Sequence, residues 1–256
     1  MKGLNDAERK ELVPNDLIFL GYRGSIAHGM YVPNTDPNSI DDKDVMGVFV
    51  APASHYIGTR KVKDVREKWY KEWDCVYYEV LKLAGLLEKG NPNVLSLLWL
   101  DERYAIYRSD EWKMFVDNRD AFSSKSVYHS FVGYAHGQLH RMTHMAFDGY
   151  MGDKRKGLVE KYGYDCKNAA HLIRLLKMGI EFLTEGILYV ERKNDATQLL
   201  EIKRGEWSLE DVKKEAERLF ALCEKAYIHS PLPAKPDSDR INDLCIDLLK
   251  NKIKDV

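Results

Sequence analysis

The chain has 256 residues, with 39 Lys and Arg against 40 Asp and Glu, 45% hydrophobic and 31% charged residues, and a formal net charge of −1. That composition is globular rather than disordered, and it offers no general attraction for a polyanion, so a nucleic-acid partner would have to be met by a local basic patch. No apolar run approaches the ~20 residues of a membrane span.

The first sixteen residues, MKGLNDAERKELVPND, lack the apolar stretch of a secretory signal, and a cytoplasmic location is expected. Asp16 to Tyr22 (DLIFLGY) is a short apolar run ending near glycine, a buried strand entering a turn. The loop YVPNTDPNSIDD follows, then Asp44 to Val50 (DVMGVFV), a second strand rich in β-branched and aromatic residues. Residues 61 to 70 are polar and ambiguous. Trp73 to Val80 (WDCVYYEV) reads as a third strand and passes into the helix LKLAGLLEK, which Gly90 and Pro92 terminate.

Beyond Ser123 the periodicity is helical. Residues 124 to 147 carry Val127, Phe131, Tyr134, Leu139, Met142 and Met145 at helical spacing. Residues 165 to 185 form a second helix stopped by Gly186, Ser208 with Asp211 opens a third like a capping box, and SPLPAKPDSD leads to a last one. The fold class expected is α+β: a mixed sheet with helices over residues 1–118, followed by an all-helical unit over 119–256. Cys75, Cys166, Cys223 and Cys245 form no C-x-x-C pair and read as reduced, buried thiols.

Two short motifs carry the chemistry. In GYRGSIAHG the turn holding Gly24 and Ser25 follows directly on a buried strand, where backbone amides can face a phosphate. Most glycine-serine turns only reverse the chain. Asp42-x-Asp44 enters the next strand, and period two puts both carboxylates on one face, able to share hard cations. An isolated D-x-D is more often a solvated loop end.

Their order, strand, Gly-Ser turn, then D-x-D on a second strand, resembles the polymerase β-like nucleotidyltransferases. GSIAHG followed by DKDVMGVFVAP is similar to the RNA-repair-associated branch, as are KGNPNVLSLLW and KYGYDCKNAAHLIRLL, so the resemblance spans roughly residues 18 to 200. Two departures stand out: sixteen residues separate Ser25 from Asp42, and Asp41 occupies a place where serine is common. The resemblance implies an NTP substrate, two Mg²⁺ ions and a third carboxylate on a neighbouring strand. Asp74 is the first choice for that carboxylate and Glu79 the second, and parity puts them on opposite faces of a regular strand. It implies as acceptor an RNA end, with a protein or small molecule open within the same chemistry.

Lys167, His171 and Arg174 fall at i, i+4 and i+7 on one helix face, a cationic stripe suited to a triphosphate or an RNA phosphate. The bland reading is a solvated face, and the resemblance favours function. His129, His136, His140 and His144 form another stripe, but one straight helix seldom closes a metal site, and packing is the simpler role. Tyr77, Tyr78, Tyr134, Tyr150, Tyr162 and Tyr164 are candidates to stack on a base. The competing classes are a non-catalytic nucleotide- or RNA-binding module and a histidine metallohydrolase.

Overall fold

The computed structural model describes residues 4–33, 35, 39, 41–144 and 153–253, which cluster into two compact units. Unit 1 takes the described residues of 1–28, 42–122 and 236–256, and unit 2 those of 29–41 and 123–235.

Unit 1 runs α1 (Asp6–Leu12), β1 (Leu17–Tyr22), α2 (Gly24–Ala27), β2 (Lys43–Phe49), α3 (Ala53–Tyr56), β3 (Val65–Tyr70), β4 (Trp73–Glu79), α4 (Val80–Glu88), α5 (Pro92–Leu95), β5 (Ala105–Arg108) and α6 (Asp110–Asp117). The five strands form one sheet in the order β3-β4-β2-β1-β5. β2 and β4 pair in parallel, while every other pairing is antiparallel. The three central strands are the apolar ones, as burial on both faces requires: all of β1 and everything in β2 from Val45 on is buried. β3 lies at an edge and reads VREKWY, without an apolar face, which is why its sequence is ambiguous.

Helices cover the sheet by specific contacts. Asn5 caps α1 through a reciprocal capping box with Glu8, and the Leu12 carbonyl accepts from the Tyr77 hydroxyl at 3.1 Å. On α6, Trp112 stacks on Phe19 of β1 with ring centroids 4.4 Å apart, and Phe115 and Phe122 extend the stack. β3 and β4 join through a two-residue turn in which Lys71 is left-handed.

Unit 2 holds α7 (Val127–His144), α8 (Asp153–Tyr162), α9 (Cys166–Glu185), α10 (Ala196–Lys203) and α11 (Leu209–His229). Its core gathers Ala135, Met142, Leu172, Ile173, Leu176, Leu199, Ile202, Val212 and Leu219. α9 is the spine: the buried Asp165 caps its start, and left-handed Gly186 ends it. Gly179 lets Phe131 of α7 pack closely against α9. A buried ionic cluster sits beyond its end, where Arg192 donates to Glu181 and Asp195 along two edges of its planar guanidinium. Burial opposes charge on Arg192, but those carboxylates outweigh it and raise its pKa.

The units depart from a linear division at residue 118 in two places. The last helix, α12 (Ser238–Ile253), belongs to unit 1: Arg240 donates to Asn118 and Asp120, Ser238 to Glu88, and the Asp237 amide to the Ala121 carbonyl. Residues 29–41 belong to unit 2, tied there by a buried Asp41–Lys203 pair. Both departures rest on polar contacts between residues far apart in sequence, invisible to local periodicity.

Candidate active site

β1 leaves the sheet at Tyr22, and the next backbone amide, of Arg23, still donates to the Asp44 carbonyl at 3.0 Å. Gly24 then turns the chain with φ +61, and a Cβ there would collide with the Asp44 carboxylate. Glycine is required twice at this position, for the left-handed backbone and for the close approach. Ser25 follows within the short α2, half-buried.

Asp44 is the second residue of β2 and Asp74 the second of β4, and the parallel register sets the two directly opposite. Residues opposite one another in register project to the same face, so the carboxylates are neighbours across one strand spacing. Between them lies a group that the motifs do not mark. The Arg23 guanidinium donates to Asp74 Oδ2 at 2.9 Å and sits 3.6 Å from Asp44 Oδ1. The three side chains are only 22–28% exposed. In the sequence Arg23 is one basic residue within a turn; nothing short of the strand register brings it to the carboxylates.

Asp42 is exposed and precedes β2 by one residue. Glu79, at the far end of β4, is buried, caps α4 through the amides of Leu81 and Lys82, and accepts from the Tyr56 hydroxyl. It is a structural carboxylate. Among the described residues no three His, Cys, Asp or Glu side chains converge as a metal cluster. Asp44 and Asp74 nevertheless suit a hard cation, because their donor atoms are all oxygen and a guanidinium already bridges them as a positive stand-in.

Asp41, next to Asp42, has another role. It is 1% exposed, pairs with the Lys203 ammonium at 2.5 Å and accepts from the Val32 amide, while Lys203 also donates to the Met30 carbonyl. Burial lowers the Lys203 pKa against the pull of Asp41. The aspartate that stands in place of serine is thus a buried clamp within unit 2.

Lys167, His171 and Arg174 lie on α9 of unit 2, all half-buried. The Arg174 guanidinium donates to Met178 Sδ, and burial together with nearby Arg192 lowers its pKa. In the histidine stripe, His136 stacks on Phe220 and His129 meets Tyr128 and Tyr227 edge-on. The His144 side chain and Tyr150 lie outside the described residues. Tyr77 and Tyr164 are buried with their hydroxyls on backbone carbonyls, which makes them core residues. The four cysteines are free and buried, and burial pushes Cys166, Cys223 and Cys245 up to about 11.

The family model described as the RNA repair pathway DNA polymerase beta family matches residues 1–247. The chain belongs to this family. Membership in the RNA repair pathway DNA polymerase beta family makes it a polymerase β-like nucleotidyltransferase. No curated protein matches the chain. Among solved structures, a nucleotidyltransferase-like protein from Exiguobacterium sibiricum 255-15 is similar at 10% identity and a TM-score of 0.29, covering 85% of this chain and 71% of that one. Among the described residues, no helix is long and apolar enough to cross a membrane.

Proposed function

We propose that this protein transfers a nucleoside monophosphate from an NTP to a hydroxyl group, with an RNA end as the acceptor and pyrophosphate as the product. The observation that carries the reading is the in-register Asp44–Asp74 pair held against the Gly24 turn. The family's link to RNA repair favours RNA over a protein or small-molecule acceptor. A cytoplasmic setting goes with that substrate.

In the reaction the acceptor oxygen forms a bond to the α-phosphorus, and the bond from that phosphorus to the bridging oxygen of pyrophosphate breaks. Asp42, Asp44 and Asp74 would hold two Mg²⁺ ions. When bound, these would supply charge to activate the hydroxyl and to stabilise the leaving oxygen. Asp74 would accept the proton of the attacking hydroxyl. The turn at Gly24 and Ser25 would hold the β and γ phosphates through its backbone amides and hydroxyl. Arg23, whose guanidinium lies beside Asp44 and Asp74, would be within the site to bind a phosphate oxygen. Lys167, His171 and Arg174 are assigned to phosphate neutralisation on α9. Catalysis would come from positioning and charge stabilisation, without a covalent intermediate.

Incubation with each labelled NTP, Mg²⁺ and separate pools of RNA, protein and small acceptors tests the proposal. Label should enter the RNA pool, and Asp42→Ala with Asp44→Ala should remove it by a factor on the order of 10³ or more. Turnover that survives the double substitution would sink the assignment. A chain that binds NTP but labels nothing would be a binding module on the same fold.

A further inference from the structure

The register that aligns Asp44 with Asp74 continues one strand further, to the edge of the sheet. There Trp69 of β3 pairs directly with Asp74 in antiparallel register. Residues directly opposite share a face and keep their Cβ atoms about 5 Å apart. A single row therefore crosses one face: Trp69, Asp74, Asp44, and then Arg23 where β1 ends.

Trp69 is 67% exposed, an unusual state for a side chain with so large an apolar area. It is not part of an apolar patch. Its neighbours along the edge, Glu67, Lys71 and Glu72, are exposed and charged, the ordinary protection of an edge strand against pairing. Two other aromatics at this end of the sheet are packed away, and Tyr70, the last residue of β3, has the Lys71 ammonium near its ring. Trp73 is buried on the opposite face, donates to Glu8 and lies near the Lys43 ammonium, and Tyr22 packs on Trp73. Trp69 alone in this row offers a flat π face to solvent, two strand spacings, or about 10 Å, from Asp44.

We infer that Trp69 is a stacking platform for a nucleobase whose phosphate lies at Asp44 and Asp74. The inference rests on the proposed transfer reaction and adds a binding residue to it. A flat indole holds any base by its face, so this contact would contribute affinity with little base preference. The base belongs either to the NTP donor or to the terminal nucleotide of the acceptor, and the two sources share one chemistry.

The native chain, Trp69→Ala and Trp69→Phe are compared by calorimetric titration in Mg²⁺ with an NTP, with ribose 5-triphosphate and with a short RNA oligonucleotide. Trp69→Ala should weaken the base-bearing ligand that uses the indole by roughly tenfold to a hundredfold. Trp69→Phe should restore most of that affinity. Ribose 5-triphosphate, which has no base, should bind all three forms alike. A loss confined to the NTP assigns the stack to the donor, and a loss confined to the oligonucleotide assigns it to the acceptor. Unchanged affinity for both, an equal loss for ribose 5-triphosphate, or no binding of either to the native chain overturns the inference. Label transfer followed in parallel separates the two ideas. Transfer with unaltered binding by Trp69→Ala discards the stack and keeps the reaction, whereas base-dependent loss without transfer to any acceptor discards the reaction and keeps the stack.

Discussion

Each unit brings aspartate against a basic side chain, and the two arrangements differ in what solvent can reach. In unit 2, Asp41 and Lys203 are 1% and 7% exposed; the Val32 amide and the Met30 carbonyl each add a hydrogen bond, and Asp41 Oδ1 is buried without a partner among the described residues. In unit 1, Asp44, Asp74 and Arg23 each keep about a quarter of their surface open. A buried pair must keep both partners, because either charge alone is costly there. A pair at the rim of a sheet can exchange its partner for a ligand at small cost. The difference separates an aspartate that fastens a loop from aspartates available to chemistry, although all three fall within a few residues or one strand of each other.

The sharpest way to break this comparison is to remove one cation from each pair. Lys203→Met leaves Asp41 buried without its countercharge and should lower stability by about 3–5 kcal/mol, read from urea unfolding. Adding Asp41→Asn should recover much of that loss. Arg23→Gln should cost no more than about 1 kcal/mol, since water reaches the carboxylates it leaves. Equal losses for Lys203→Met and Arg23→Gln would erase the distinction.

A smaller effect is expected at Gly24, where any side chain meets the Asp44 carboxylate in a left-handed backbone. Gly24→Ala should destabilise by about 1–2 kcal/mol. It should also reduce label transfer disproportionately, because the displaced group is Asp44 itself. A variant with normal transfer would detach the turn from the carboxylates.

The smallest effect concerns the exposed pair that fastens α12. Arg240 donates to both oxygens of Asp120 and to Asn118, and its hydrogen bond is the chief reason the Asp120 pKa is lowered. Arg240→Ala should cost about 1 kcal/mol or less at pH 7, since both side chains are largely solvated. A carboxyl with a lowered folded pKa stabilises the fold above its ordinary value of about 3.9. That stabilisation is lost as pH falls through the folded value. The gap between the native chain and Arg240→Ala should therefore close below about pH 4, measured by thermal unfolding across pH. A gap that persisted in acid would mean that packing, and not the ion pair, holds the helix.

Much of this arrangement is written locally. The apolar runs of β1, β2 and β4 and the long periodicities of α9 and α11 announce themselves, because burial on two faces or on one helical stripe leaves a pattern within a few residues. The motif residues Gly24, Asp42 and Asp44 are likewise adjacent to those runs. Edge strands are harder to see. β3 earns its place by backbone pairing with β4, so its polar sequence carries no periodicity, and Trp69 was hidden with it. Arg23, Lys203 and Arg240 act on partners 21 to 173 positions away in the chain, and their roles exist only once the strands and helices are assembled. The spacing of Lys167, His171 and Arg174 was visible, whereas their half-burial and the contact of Arg174 with Met178 were not.

The discontinuity of unit 1 also bears on how the polypeptide is made. All five strands and both carboxylates have left the ribosome once residue 108 has emerged, yet α12, which holds Asn118, Asp120 and Glu88, follows only after the whole of unit 2 has been synthesised. During that interval the nascent sheet lacks its last helix, and Ile241 and Leu248, buried in the finished protein, are missing from it. A fragment ending at residue 122 would carry the same deficit permanently. Excising the helical unit for expression on its own would likewise break a chain that crosses between the units four times.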